Sequence, residues 1–371
     1  MYRIVYDYQT FGLQRHGGIS RYFCELAARV HQSAGLSAHV VAPLHINDYL
    51  DTCEVPRTAI RLSPPIALPG RLQRGINKLV SPFLVRQQGP SLIHRTYYSP
   101  FNAMRAVPTV VTVFDMIHEL YATEFAPSDR TSLHKRQCVE RAQHVVCISH
   151  STAADLMRLF SVARERISVT HLGYSSVFDA RPEIMGTVAD PSTRPYLLYV
   201  GQRRGYKGFD DALKAYAGSP RLRADFDFVV FGGSSFSAGE LSLIRSLSMR
   251  DGAVRHLQGD DVALAATYRA ARAFVYPSRY EGFGIPPLEA MASGCPVICA
   301  GVSSLPEVVG DAAQCFDPNE PDSLLAAMEL VCFDETRRLD LVQRGFERVR
   351  SFSWDQCARE TASIYRRVLA E

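Results

Sequence analysis

Apolar residues fall along this chain in short, nearly unbroken runs. In the first half they are YRIVYDY, AHVVAP, SLIH, TVVTVFDM, HVVCIS and RISVTHLG. The segments between them place apolar residues three and four positions apart, the spacing of one helix face. The second half repeats the rhythm with YLLYVGQ, FDFVVFGG, AVRHLQGD, RAFVYPS, CPVICA and AAQCFDP. Strands that are apolar on both faces, alternating with helices, belong to parallel sheets covered on both sides. The pattern therefore predicts an α/β protein of two doubly wound, Rossmann-like domains facing a central cleft. The stretch from Asp179 to Pro195 holds three prolines and few large apolar residues, which marks a linker. The expected domains are residues 1–180 and 181–353. A last amphipathic helix, about 354–371, is expected to pack back onto the first domain.

In such sheets ligands bind beyond the carboxyl ends of the strands, so the residues that follow each apolar run are the candidates. Gly17 and Gly18 follow the first run and open a helix. Asp115 and His118 follow TVVTV. Gly201, Arg203, Arg204 and Lys207 follow YLLYV, and Gly232 and Gly233 follow FVVF. The segment RYEGFGIPPLEAMASGCPVICA, Arg279 to Ala300, then reads as strand end, glycine turn and helix. Prolines are tolerated in a first helical turn, where the N–H they lack has no partner in the helix. A glycine turn running into a helix presents backbone amides and the positive end of the helix dipole to an anion. Glu281 stands outside that helix and Glu289 in its expected first turn. A carboxylate there either stabilises the helix or accepts hydrogen bonds from the vicinal hydroxyls of a ribose, and both readings are open. Arg203, Arg204 and Lys207 are either a solvated basic loop or the cations that neutralise a diphosphate. His16 and His118, single histidines at strand ends, are structural or catalytic on equal terms.

The chain has 371 residues and a net charge of +3, enough for two cores and no argument for a nucleic-acid partner. Only four of its 41 basic residues are lysines, Lys78, Lys135, Lys207 and Lys214, so each lysine draws attention. Nine cysteines are scattered without a C-x-x-C or zinc-ligand spacing, which argues for reduced thiols and no structural metal. No charged leader precedes the first strand and no apolar run is long enough to span a membrane. The expected location is cytoplasmic, with peripheral contact at the inner membrane open. The segment from Arg71 to Gln87 carries that option. Its basic and apolar residues fit either a helix lying on anionic lipid or a core-facing helix with a basic outer face. Asp225 and Asp227 form the one D-x-D resembling a metal pair, but they enter a strand, at the end of the sheet away from the site.

Glu281 and Glu289 within YEGFGIPPLEAMASGCPVI resemble the signature of the retaining GT-B glycosyltransferases of family four. The resemblance extends over nearly the whole chain, through QRHGGISRYF, TVFDMIHEL, CISHSTAADL, YVGQRRGYKGFD, VFGG and SSLPEVVGDAAQCFDP. It implies that Glu289 holds the nucleotide's ribose and that Glu281 sits near the donor sugar and its phosphate. It also implies that the amides around Gly282, Phe283, Gly284 and Ile285 touch the sugar and diphosphate. Arg203 and Lys207 would bind the diphosphate, with Gly17 and Gly18 letting the first domain's backbone approach it, and Gly201, Gly232 and Gly233 count among the donor-binding residues. Catalytic roles fall to Glu281, Lys207, Arg203, Asp115 and His118. Two departures stand out. Phe114 occupies the place before Asp115 where relatives carry histidine, and Gln202 follows the glycine where an arginine is usual, which leaves Arg203 and Arg204 both open for that role.

The implied activity is metal-independent and cofactor-free transfer of a hexose or deoxyhexose, with retention. The donor is a nucleoside-diphosphate sugar, GDP-mannose first and a UDP-sugar second. The acceptor is a lipid-linked or growing surface glycan such as O-antigen, capsule or exopolysaccharide. Rival readings are a nucleotide-sugar epimerase or phosphorylase, a silent nucleotide-sugar-binding scaffold, and a paired-carboxylate glycosidase.

Overall fold

The computed structural model describes residues 1–62, 68–99, 106–180, 194–203, 205–320 and 322–371. The chain divides into one unit made of Met1–Gly173 with Ser353–Glu371 and another made of Tyr174–Phe352. The first contains strands β1 (Tyr2–Tyr6), β2 (Leu36–His45), β3 (Arg57–Arg61), β4 (Leu92–Arg95), β5 (Thr109–Val113), β6 (His144–Cys147) and β7 (Ile167–Val169). The second contains β8 (Tyr196–Val200), β9 (Asp227–Phe231), β10 (Val254–Leu257), β11 (Ala273–Tyr276), β12 (Val297–Ala300) and β13 (Ala313–Phe316). All pairings among the described residues are parallel.

The first sheet runs β3-β2-β1-β4-β5-β6-β7. Its order reverses between β1 and β4. The strand β3, RTAIR, was not among the expected ones, because an edge strand with exposed arginines and an exposed isoleucine carries no buried-strand pattern. Beside it β2 contains Pro43, and its register to β3 shifts between Ala42 and Leu44. Proline cannot donate to a ladder, so it is accommodated at such a bulge. The bulge leaves Leu44 to be satisfied from outside the sheet. Helix Gly70–Gln87 does this: Asn77 Oδ1 accepts from Leu44 N at 2.9 Å and its Nδ2 donates to Leu44 O at 2.8 Å. Gln73 Nε2 adds contacts at 3.3 Å to the carbonyls of Gly12 and Leu44. The inward face of this helix is therefore Gln73, Asn77, Ser81 and Val85. It faces the core, as one of the two readings expected, with Val85 packed among Val5, Val41 and Ile93 and Leu84 against them, but most of that face is polar rather than apolar.

Helix Trp354–Ala370 belongs to the first unit. Tyr365 sits between β1 and β4, its hydroxyl against Tyr6 at 3.1 Å and against His94 Nδ1. Arg29 pairs with Asp355, and Arg366 donates to Ala34 O at 2.9 Å. A side chain on Gly173 would lie 2.3 Å from the backbone nitrogen of Trp354. The close approach fixes where the returning chain meets the first unit.

The boundary falls at 173/174, ahead of the expected 180/181. Phe178 is fully buried and meets Tyr268 edge-on at 6.1 Å. Ala180 N donates to Ala292 O at 2.8 Å, and Ser293 Oγ donates to Phe178 O at 3.1 Å. These contacts hold 174–180 in the second unit. Most of the expected linker, 181–193, lies outside the described residues. The second sheet runs β10-β9-β8-β11-β12-β13, so its order reverses between β8 and β11.

Candidate active site

In the second unit the loops leaving β8 and β11 flank the point where strand order reverses, the place where open parallel sheets bind ligands. These loops are stitched together. Arg279 N donates to Tyr206 O at 2.8 Å. Gly208, at φ 68°, lies so close to the second loop that a Cβ on it would be 2.4 Å from Pro277 O. Only glycine fits both the positive φ and the approach. The result brings Lys207 Nζ to 2.7 Å from Glu281 Oε1.

A second donor meets the same oxygen. Tyr276, the last residue of β11, gives its hydroxyl to Glu281 Oε1 at 2.6 Å. Burial, with the Glu281 charge after it, pushes the Tyr276 phenol well above its ordinary range, so it remains a donor. The Glu281 backbone is fixed by β12's exit. Ser303 Oγ and Ser304 Oγ donate to Glu281 O at 2.7 and 2.8 Å, and Ser304 Oγ also meets Phe283 O at 2.7 Å. With its backbone and one carboxylate oxygen both held, the side chain of Glu281 is preorganised.

Past Glu281 and Gly282, Phe283 packs edge-on against Phe352 at 5.8 Å. Gly284 caps helix Ile285–Ala292 at φ 120°, and a Cβ there would meet Leu305 at 2.9 Å. Pro286 and Pro287 contribute no N–H, so the first-turn amides are those of Ile285 and Leu288. Glu289 lies beyond the first turn, which holds no acid, and is buried at 7% exposure. Dipole stabilisation at a helix start therefore does not account for it. Its charge adds to burial in raising the Tyr268 phenol.

Arg203 is used differently from the expectation. Its Nε donates to Glu240 Oε1 at 2.6 Å, and its terminal nitrogens donate to Gly232 O at 3.3 Å, Ser234 O at 2.6 Å and Ser235 O at 3.2 Å. Its side chain is 5% exposed and its guanidinium lies 5.1 Å from the Phe236 ring centre. Five donors in a planar fork suit such a cluster of carbonyls. Arg203 thus ties the loop after β8 to the loop after β9, its Nε and terminal nitrogens engaged by protein acceptors. Gly201, Gly232 and Gly233, at φ 116°, 82° and 70°, shape the same crossing, and a Cβ on Gly233 would reach Arg203 at 3.0 Å. Arg204 lies outside the described residues. Asp227, of the D-x-D, is held by Arg250, by Arg194 at 3.4 Å and by Arg255 at 3.5 Å. It is an arginine anchor at the start of its strand.

In the first unit, Gly17 is the N-cap of helix Gly18–His31. A Cβ on Gly17 would clash with the Gln14 amide at 2.3 Å, whereas Gly18 has open space around its Cα. His16 pairs with Asp48 at 2.8 Å. After β5, Asp115 Oδ1 accepts from Ile117 N at 3.1 Å. Fully buried Lys135 donates to Asp115 O at 2.8 Å and Glu119 Oε2 at 2.7 Å. His118 stacks on Phe125 at 4.0 Å and lies 3.9 Å from Asp129. Burial, and then the nearby Lys135 ammonium, pull its pKa below the ordinary value. At the reversal between β1 and β4, Asp7 Oδ1 accepts from Thr96 N at 2.9 Å and Gln9 Nε2 donates to Asp7 Oδ2 at 2.8 Å. Sequence reading missed Tyr276, Ser303, Ser304, Glu240, Asp7 and Glu119. Lys135 was marked only by the scarcity of lysine.

Two parallel α/β sheets, the second with a lysine, a glycine turn and Glu281 at its switch point, are the architecture that the resemblance to the GT-B class implies. The chain belongs to the glycosyl transferases group 1, matched over residues 180–348, with Glycosyltransferase Family 4 matched over residues 16–176. The O-antigen chain mannosyltransferase B of Escherichia coli is 34% identical over 281 residues, 73% of this chain and 72% of its own length. Sucrose-phosphate synthase from Thermosynechococcus elongatus has a TM-score of 0.77 at 22% identity, covering 100% of both chains. HepE from Anabaena, solved in complex with UDP-glucose, has a TM-score of 0.73 at 16% identity over 98% of this chain and 99% of its own. At those identities the structural likeness is one of fold.

Proposed function

We propose that this glycosyltransferase moves a hexose or deoxyhexose, with retention, from a nucleoside-diphosphate sugar to a lipid-linked or growing surface glycan of the O-antigen, capsule or exopolysaccharide kind. The observation that carries the reading is Lys207 and Tyr276 converging on one oxygen of Glu281 beside the glycine turn. GDP-mannose is the first donor, on the strength of the E. coli mannosyltransferase, and UDP-sugars are the second.

Breaking the bond from the anomeric carbon to the diphosphate builds negative charge on the leaving phosphate. Lys207 and the amides of Phe283, Gly284 and Ile285 are the donors proposed to meet it, an electrostatic contribution in place before the reaction. The second oxygen of Glu281 is proposed to meet the sugar, and Glu289 the ribose. The acceptor hydroxyl attacks from the face the phosphate leaves. Its oxygen bonds to the anomeric carbon as the old bond breaks, and its proton passes to the departing phosphate oxygen. The D-x-D aspartate is engaged by arginines, which supports transfer without a divalent ion.

The test is transfer from a panel of nucleotide sugars to isolated lipid-linked glycan, with the product's anomeric configuration read by NMR. Each assay is run with chelator and with magnesium or manganese restored. GDP-mannose turnover with retention, surviving chelation, is expected. An inverted product, rescue by metal, or an epimerised donor formed without acceptor would replace the reading.

A further inference from the structure

Helix Gly70–Gln87 is built inside out. Its buried residues are Gln73, Asn77, Ser81 and Val85, whereas Leu79 is 80% exposed, Phe83 62%, Leu72 51% and Val80 39%. Leu72, Ile76, Leu79 and Phe83 are spaced by three and four residues and so form one stripe. The buried residues follow one another at four-residue intervals and form the opposite stripe. The bulge in β2 explains the polar inner face, because Asn77 and Gln73 serve the backbone groups of Leu44 and Gly12. Among the described residues, nothing covers Leu72, Leu79 and Phe83. Single exposed apolar residues are ordinary, but a continuous band marks an interaction surface.

The charge on the helix says what kind. Its sequence, GRLQRGINKLVSPFLVRQ, contains four basic residues and no acid, and Arg71, Arg74, Lys78 and Arg86 are all exposed. A second copy docking here would set like charge against like. An anionic bilayer meets both features at once, with phosphates for the cations and acyl chains for the leucines and phenylalanine. We propose that this helix lies in the surface of an anionic lipid bilayer, its Leu72–Phe83 stripe inserted at the headgroup boundary and its basic residues on lipid phosphates. The surface stands independently of which nucleotide sugar the second unit uses.

The test is flotation of the full-length protein with phosphatidylglycerol–phosphatidylethanolamine vesicles and with phosphatidylcholine vesicles, alongside light scattering in solution. The unaltered chain is expected to float with the anionic vesicles only, and to be released between about 0.1 and 1 M salt as the screening length shortens. Leu79→Ser with Phe83→Ser is expected to lower partitioning at least about tenfold, and Arg71→Glu with Arg74→Glu to do the same. Both variants change only exposed side chains and should keep the circular dichroism melt of the parent, which is measured alongside. No binding to anionic vesicles, equal binding to phosphatidylcholine, or unaltered binding by both variants would overturn the proposal. A solution dimer that the Leu79/Phe83 variant dissolves, without vesicle binding, would give the stripe to a second copy instead.

Discussion

At the scale of single residues, the site turns on how Glu281 is held. Its Oε1 receives both Lys207 and Tyr276, and a hydrogen bond to a charged group contributes roughly 1.5–3 kcal/mol. Tyr276→Phe removes one donor and little volume. It should lower kcat about tenfold or more by loosening the carboxylate, with nucleoside-diphosphate affinity by calorimetry nearly unchanged. An equal loss in affinity would mean that Tyr276 supports the whole turn rather than this side chain. Glu281→Ala should likewise depress turnover more than binding, whereas Glu289→Ala should weaken the nucleotide itself. Matching affinity losses in the two variants would remove the division of roles. The glutamates and Lys207 were legible because charged residues stand out after a strand and in a glycine turn. Tyr276 was not, since a tyrosine ending an apolar run reads as core. Arg203 was legible as a cation, yet its commitment to Glu240 depends on a loop that sequence alone does not bring near.

Elements show where hydrophobic pattern and packing part company. The apolar residues of helix Gly70–Gln87 suggested a core face, but Pro43 and the bulge make the helix supply hydrogen bonds to β2. Asn77→Leu should therefore destabilise the protein by about 1–3 kcal/mol, since it strands the N–H of Leu44 and leaves its carbonyl only the longer contact to Gln73; chemical denaturation measures it. An unchanged midpoint would show that water replaces the amide. A second element-scale prediction concerns β4, whose His94 is fully buried between Tyr365 and Thr112. Burial lowers its pKa from 6.5 to about 3. Between those values the unfolded chain binds a proton that the folded one refuses, so stability falls as pH drops from 6.5 toward 3. His94→Gln should flatten that slope in melts recorded across the window, and an unaltered slope would assign the acid sensitivity to other groups. The sequence marked SLIH as a strand. Its histidine's burial could not be read, because it depends on a helix that arrives from the other end of the chain.

For the whole molecule, the path of the chain makes the two units unequal. The second is one continuous stretch, Tyr174–Phe352, whereas the first is completed only by Ser353–Glu371. Alternating runs made the tandem sheets legible, but the boundary was misplaced because Phe178, next to polar residues, gives no sign that it is buried against Tyr268. The continuous unit holds Lys207, Tyr276, Glu281, Glu289 and the serines that fix them. It should fold when expressed as residues 174–352 and bind nucleoside diphosphate, without transferring sugar. Residues 1–173 alone should not fold stably. They lack Trp354, Ile364, Tyr365 and Val368, each at most 6% exposed in the whole chain, and burying such side chains contributes roughly 1.5–3 kcal/mol apiece against a typical total of about 5–15 kcal/mol. Supplying 353–371 as a tethered segment should restore the fold. Circular dichroism melts of the fragments and calorimetry with GDP and UDP read both outcomes. If 174–352 is folded yet binds neither nucleotide while the full chain binds one, the assignment of nucleotide binding to this unit alone fails.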